Sequence, residues 1–296
     1  IKKKMSAKIL VTGATGNFGK TTIDFLLEKG IAASNISALV RDETKAEELK
    51  TKGITIKVGD YNNYDSLVTA FQGVDKLLLV SGTDLENRGK QKLDAVKAAK
   101  EPGVKHILYT SFERKNESET SPIAFLAKSH IDTDNAIKSS GMTYSIFKNN
   151  LYLEVLPMFF GEKVLETGIF FPAGDTGAAY VSRNDLAEAV ANVLISEYNE
   201  SKEYAMNNIE NYSMKESADL LSKITNTTVS YTSPTPETYS EVLSNAGVPG
   251  EYVGMFVGFA AAIQQGEFLT TSTDLENLLG RKPISLEDFL KQVYTK

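Results

Sequence analysis

The chain contains no cysteine. That absence excludes a disulfide framework, thiolate metal sites and a cysteine nucleophile together, and it fits a cytoplasmic address. No apolar run approaches the roughly 18 residues that a membrane helix needs, and no signal-peptide pattern occurs, so neither a membrane partner nor export is expected. A basic excess is missing too. Lys and Arg number 32 against 38 Asp and Glu, a net charge of -6, which argues against nucleic acid as a partner because a phosphate-tracking surface shows as surplus positive charge. Histidine is scarce, with only His106 and His130, and no metal site is expected.

What is present is ordinary for a globular protein: 42% hydrophobic and 24% charged residues. A length of 296 residues suits one large α/β domain with a smaller lobe and needs no disulfide or metal staple. Residues 1–4 precede Met5 and are set aside from the fold argument.

The stretch from Lys8 to Lys20 organises the rest. Ile9, Leu10 and Val11 are the apolar run of a doubly buried parallel strand, and a glycine-rich turn follows before an amphipathic pattern begins. In Gly13-Ala14-Thr15-Gly16-Asn17-Phe18-Gly19, Gly13 suits the turn, Gly16 lets the main chain approach a diphosphate, and Gly19 allows close helix packing. The N-terminus of the following helix offers N–H groups to an anion. The spacing is Gly-x-x-Gly-x-x-Gly, and its place between a strand and a helix gives it meaning.

Further strands are expected at 36–40, 54–58, 76–80, 106–110 and 144–148, with helices between them. The helix over 87–100 is expected to turn Leu93, Val96 and Ala99 inward. Such alternation predicts a Rossmann-like, doubly wound parallel sheet over residues 5–150 and a smaller mixed α/β lobe over 151–296, with some segments returning to the sheet. In the second half, a strand near 203–206 and helices over 214–225, 236–245, 250–265 and 286–294 are expected. Ligands of such sheets lie beyond the strands' carboxyl ends, so loops at Gly13, Arg41, Asp60, Ser81, Ser111 and Lys148 should converge.

An acidic residue closing the second strand favours NAD, whereas a basic one accepts a 2′-phosphate. This chain has Arg41, with Lys45 nearby, and NADP(H) is the expected cofactor. Asp42 beside it complicates the reading. For catalysis, Ser111 ends the fifth strand, but the next helix has His130 and Asp134 where short-chain reductases carry Tyr-x-x-x-Lys. An aspartate near His130 would favour the imidazolium rather than activate an acid.

Together, the glycine loop, Val40-Arg41, Gly59-Asp60-Tyr61, Leu79-Val80-Ser81, Tyr109-Thr110-Ser111, His130, Phe147-Lys148-Asn149-Asn150-x-Tyr152 and Leu279-Gly280-Arg281-Lys282-Pro283 resemble the NmrA-like atypical short-chain dehydrogenases. The likeness is to their bacterial NADPH-dependent quinone oxidoreductases (type 2), with triphenylmethane reductases nearby. The resemblance implies NADPH held by Gly13, Ala14, Thr15, Gly16, Asn17 and Phe18, by Arg41, Asp60 and Tyr61, by Ser81, Gly82 and Thr83, and by Lys148, Asn149, Asn150 and Tyr152. It also implies a substrate cleft between the lobes. Relatives commonly show Arg-Asn-Gly where this chain has Lys148-Asn149-Asn150, so fine substrate contacts are not carried over.

A quinone or similar electron acceptor makes sense of the missing tyrosine, because its ring takes hydride readily and orientation can supply most of the catalysis. Direct transfer without flavin is expected. His130 could donate a proton or hydrogen bond, alongside Ser111, while His106 reads as structural. Tyr152, Phe159, Phe160 and Phe256 would either wall an apolar substrate site or sit in the core. The rival reading is a non-catalytic NmrA-like regulator that senses the dinucleotide. Homodimer formation stays open.

Overall fold

The computed structural model describes residues 7–82, 84, 86–197, 200–270 and 272–295. Its organising sheet has seven strands: β1 (Ile9–Val11), β2 (Ile36–Val40), β3 (Thr55–Val58), β4 (Lys76–Leu79), β5 (His106–Phe112), β6 (Thr143–Asn149) and a last strand at Lys202–Met206. The spatial order is β3-β2-β1-β4-β5-β6 followed by Lys202–Met206. β1 pairs in parallel with both β2 and β4, β2 with β3, and β4 with β5. The chain starts in the middle, winds outward to β3 and returns to β4 on the other side of β1. Direction therefore reverses between β1 and β4, and it is at such a reversal that the connecting loops leave room for a ligand.

Helices α1 (Asn17–Glu28), α2 (Glu47–Thr51), α3 (Tyr64–Ala70), α4 (Arg88–Lys100) and α5 (Ala124–Ser139) connect these strands. The chain divides into two compact units. One comprises Ile1–Phe112, Lys128–Lys148 and Asn184–Tyr204; the other comprises Glu113–Ala127, Asn149–Arg183 and Ala205–Lys296. In the first unit, Leu10, Leu39, Leu77, Leu79, Ile107, Tyr109 and Ile146 pack with Leu67 and Phe71 and with Ala95, Val96 and Ala99 of α4. β1 and β4 are buried along their whole length, which is why β1 and the Leu77–Leu79 part of β4 read as unbroken apolar runs.

Helix α4 corrects the expected register. Val96 and Ala99 are buried, but Leu93 is 38% exposed, and the inward face instead carries Arg88, Gln91 and Lys92 ahead of Ala95. Those positions repeat at intervals of three and four, so they form one helical stripe. Val96 and Ala99 thus face inward as expected, while Leu93 does not, and Lys92 takes the inward place beside it.

The amino edge of the sheet is held by polar bonds. Lys76 Nζ donates to the Leu194 carbonyl at 2.9 Å and the Ser196 carbonyl at 2.8 Å, closing the C-terminal end of the helix Arg183–Ile195. His106, at the start of β5, is 2% exposed and lies 2.8 Å from Thr143 Oγ1 and 2.9 Å from Ser145 Oγ.

The second unit carries helices at Met214–Thr225, Pro236–Asn245, Gly250–Gln264 and Leu286–Tyr294 as expected, plus short ones at Leu156–Phe160, Val164–Thr167 and Asp274–Leu279 that were not. A reciprocal cap of Ser213 and Glu216 starts the helix Met214–Thr225. Gly258 settles why the helix Gly250–Gln264 is glycine-bearing: a Cβ there would stand 2.8 Å from the Pro122 carbonyl oxygen. Phe159 is 5% and Phe160 3% exposed, so both sit in the core, where Phe159 stacks on Phe171 at 4.7 Å and meets the edge of Phe256 at 6.0 Å.

Burial lowers the His106 pKa to about 4, with Lys76 adding to the effect. Because the folded value lies below the ordinary one, the unfolded chain binds the proton more readily, and stability is lost as pH falls from about 6.5 towards 4. His106→Gln is expected to remove up to about 3 kcal/mol of that acid sensitivity, read as the wild-type minus variant difference in urea unfolding across this window. Parallel stability profiles would contradict it.

Candidate functional site

The turn after β1 is shaped by what its glycines lack. Gly13 adopts a φ of +59°, and the Gly16 N–H donates to its carbonyl at 2.9 Å. A Cβ on Gly19 would stand 2.4 Å from that same carbonyl oxygen. Helix α1 begins with Gly16 as its cap, with no side-chain capping bond and no acidic residue in the first turn. Its leading N–H groups and the positive end of the helix dipole therefore have no acceptor from the cap side chain or from an acid in the first turn, the condition under which a helix start can take an anion.

Arg41 follows β2 and is exposed. Asp42 has a task of its own: its Oδ1 accepts from the Thr44 N–H at 3.0 Å and Thr44 Oγ1 at 2.6 Å, starting the next helical turn. Those bonds hold its carboxyl below the usual value, so the neighbour that complicated the sequence reading serves as a cap. Beyond β3, Asp60 Oδ1 accepts from the Asn62 N–H at 2.8 Å. The Tyr61 hydroxyl donates to the Val80 carbonyl at 3.3 Å, and burial pushes its pKa up to about 12.

After β4, the Ser81 N–H donates to Thr110 Oγ1 at 2.8 Å. Ser81 Oγ donates to the Thr110 carbonyl at 3.1 Å and to the Tyr109 hydroxyl oxygen at 3.2 Å. Among the described residues, its chain neighbours aside, nothing lies within 4 Å of where a Gly82 Cβ would be. Thr83 lies outside the described residues.

Under this edge lies a polar layer that sequence reasoning only partly found. Ser111 is 3% exposed and donates through Oγ to Asp134 Oδ2 at 3.0 Å. His130 is buried, with Nδ1 2.8 Å from the Tyr109 hydroxyl and Nε2 3.0 Å from Arg88 Nη2. Lys92 Nζ donates to Ser129 Oγ at 3.1 Å and sits 5.7 Å from the centre of the Tyr109 ring. Burial pushes the Tyr109 hydroxyl up, so it stays protonated and supplies no tyrosinate. Tyr109, Arg88 and Lys92 were missed as site residues. The signal for the two cations was their place on the buried stripe of α4.

Lys148, near the carboxyl end of β6, pairs with Glu203 at 2.7 Å, and Lys138 pairs with the same carboxylate. Burial alone would raise the Glu203 carboxyl, but the two ammonium groups hold it below its ordinary value.

In the second unit, Asn149 is 1% exposed, and its Oδ1 makes no hydrogen bond, so a ligand N–H would satisfy it. Its Nδ2 lies 3.5 Å from the Tyr152 hydroxyl, and the Arg183 guanidinium sits 4.9 Å from the Tyr152 ring centre. Asn150 is engaged through its whole amide, donating to Asn207 Oδ1 at 2.8 Å and the Phe268 carbonyl at 3.1 Å while accepting from the Leu151 N–H at 2.8 Å. Among the described residues there is no cluster of His, Asp or Glu able to hold a metal ion, and no helix long and apolar enough to cross a membrane.

The sequence and the fold have counterparts among known proteins. The model of the NmrA-like family matches residues 5–290. Quinone oxidoreductase 2 of Escherichia coli is 32% identical over 287 residues, covering 97% of this chain and 98% of that protein. The crystal structure of the E. coli NADPH-dependent quinone oxidoreductase complexed with NADPH superposes with a TM-score of 0.90 at 31% identity, covering 97% of this chain and 100% of that one. The Citrobacter sp. triphenylmethane reductase complexed with NADP(H) superposes with a TM-score of 0.86 at 35% identity, covering 96% and 99%.

The close approach at Gly19 is to backbone, which cannot rotate aside. Gly19→Ala is therefore expected to destabilise the fold by about 1–3 kcal/mol, read as a lowered midpoint in urea. An unchanged midpoint would show that the turn yields at no cost.

Proposed function

The chain belongs to the NmrA-like family, and from that premise we propose that it is an NADPH-dependent oxidoreductase of the cytoplasm that reduces quinone-like substrates by direct hydride transfer. The observation that carries the reading is the empty-handed start of α1, a glycine cradle with no side-chain cap and no acid, beside an Arg41 whose acidic neighbour is already committed to Thr44. The likeness to reductases with NADPH or NADP(H) bound points the same way.

The residues divide the work. Gly13 to Phe18 would hold the diphosphate on main-chain N–H groups, and Arg41 would grip the 2′-phosphate through paired charge-assisted bonds. Asp60, Tyr61, Ser81, Gly82, Lys148, Asn149, Asn150 and Tyr152 form the rest of the proposed binding set. The loops after β1, β3 and β4 are tied together, since Thr12 and Tyr61 both bond the backbone of Val80. NADPH, when bound, supplies the hydride.

A quinone takes that hydride and one proton from solvent water to become a hydroquinone. Because the intermediate anion is delocalised over the ring, holding the two rings in register is the larger demand on the protein. Ser111 and His130 are the proposed polar groups of the catalytic layer. The second unit is the proposed substrate-binding lobe.

Two measurements check this. Each charge-assisted bond is worth about 1.5–3 kcal/mol, so Arg41→Ala is expected to cut the preference for NADPH over NADH about ten- to hundredfold, read from the two dissociation constants. An unchanged ratio would remove Arg41 from the site. Wild-type protein is also expected to deplete NADPH absorbance in the presence of benzoquinones or naphthoquinones. Tight NADPH binding without substrate-dependent loss would instead indicate a dinucleotide sensor.

A further inference from the structure

The buried layer below Ser81 contains a chain of groups that hydride transfer does not itself require. Arg88 is 7% exposed, His130 4% and Tyr109 fully buried. Arg88 Nη2 lies 3.0 Å from His130 Nε2, and the Tyr109 hydroxyl lies 2.8 Å from Nδ1. A guanidinium has only donors. His130 Nε2 must therefore accept, which leaves the ring neutral, places its hydrogen on Nδ1 and makes that N–H the donor to Tyr109. Protonating Nε2 would set one N–H against another at 3.0 Å.

The other groups around the ring do not reverse this. On its own helix, one turn on, the Asp134 carboxylate would favour an imidazolium, yet its Oδ2 takes the Ser111 hydrogen at 3.0 Å. From α4, Lys92 adds a second buried cation next to Arg88, bonded to Ser129 and lying over the Tyr109 ring. From β5, the Phe112 ring packs 5.8 Å from the imidazole centre and carries no charge. The cation in direct contact with the ring is Arg88.

The consequence runs outward. Thr110's carbonyl can only accept, so the single hydrogen of Ser81 is best directed there. That same hydrogen also reaches the Tyr109 hydroxyl oxygen, which accepts from Ser81 Oγ at 3.2 Å, so with its hydrogen turned inward Ser81 presents an acceptor rather than a donor at the carboxyl end of β4.

We propose that Arg88, His130 and Tyr109 form a positioning chain and not a proton relay: Arg88 locks His130 neutral as the Nδ1–H tautomer, His130 anchors the Tyr109 hydroxyl, and Tyr109 fixes Ser81 as an acceptor for a ligand hydroxyl such as that of a ribose. The last link rests on the NADPH reading above; the tautomer does not. A neutral imidazole whose acceptor nitrogen faces an arginine has no proton to give at ordinary pH, because losing the Nδ1 hydrogen would leave an imidazolate. His130 thus acts through Tyr109, and the proton that completes a hydroquinone comes from water.

Only two histidines are present, so 15N-imidazole NMR of the full chain reads His130 directly, with His106→Gln assigning the other signal. The expected result is one neutral tautomer protonated on Nδ1 that does not titrate between about pH 5 and 8. An Nε2–H tautomer, or titration inside that window, would overturn the proposal. Tyr109→Phe is expected to raise the NADPH dissociation constant about tenfold with a much smaller change in kcat at saturating NADPH. His130→Asn, which can keep a donor near the Nδ1 position, is expected to recover part of what His130→Leu loses. An unchanged dissociation constant in Tyr109→Phe would overturn the link to Ser81. A kcat limb near pH 6.5 that vanishes in His130→Asn would establish proton donation instead. Absence of NADPH binding in the wild type would defeat the proposed function, while the imidazole spectrum would still decide the tautomer.

Discussion

Helix α1 starts where it does because residue 19 has no side chain. The Gly13 carbonyl oxygen occupies the space a Cβ would need, 2.4 Å away, and the same carbonyl receives the Gly16 N–H. Strand, turn and helix are thereby drawn together so that the first-turn N–H groups open beyond the carboxyl end of the sheet. Arg41, Tyr61 and Ser81 gain their meaning from that point, because each follows a strand in parallel register with β1 or with a strand that pairs with it. The loss of one methyl group's worth of space at Gly19 would shift the start of α1 relative to all of them.

The polar layer under the site imposes a second constraint. Burying Arg88, Lys92 and Asp134 removes charges from water, a cost that is tolerable only when every partner is in place. Such a layer contributes little stability for its size, but it admits few arrangements. Hydroxyls and an imidazole linked to it inherit that fixity, and Tyr109 and Ser81 are among them. For a reaction in which the substrate's own delocalisation handles developing charge, fixed geometry is the larger contribution a protein can make.

Much of this was legible in the residues. β2 falls where its apolar run placed it, the glycine loop sits between strand and helix as its spacing required, and the Rossmann-like sheet follows from alternation. Where reading failed, the physics is local. Val96 and Ala99 face inward as expected, but Leu93 does not, and Arg88 and Lys92 are buried instead by partners that only the fold supplies. Asp42 could not be separated from the 2′-phosphate question until its bonds to Thr44 were seen. The helix Asp274–Leu279 is short and sits in a stretch with weak periodicity, so nothing in the pattern announced it. The tautomer of His130 depends on a partner 42 positions away in the chain, beyond the reach of any local motif.

The central claim is that the start of α1 and the residue closing β2 together hold a phosphorylated dinucleotide. Calorimetric titration of NADPH into the purified full-length chain tests it most directly. One saturable site per chain, weakened by added salt because paired charges are screened, is the predicted result. No heat of association with NADPH at any salt concentration would contradict it.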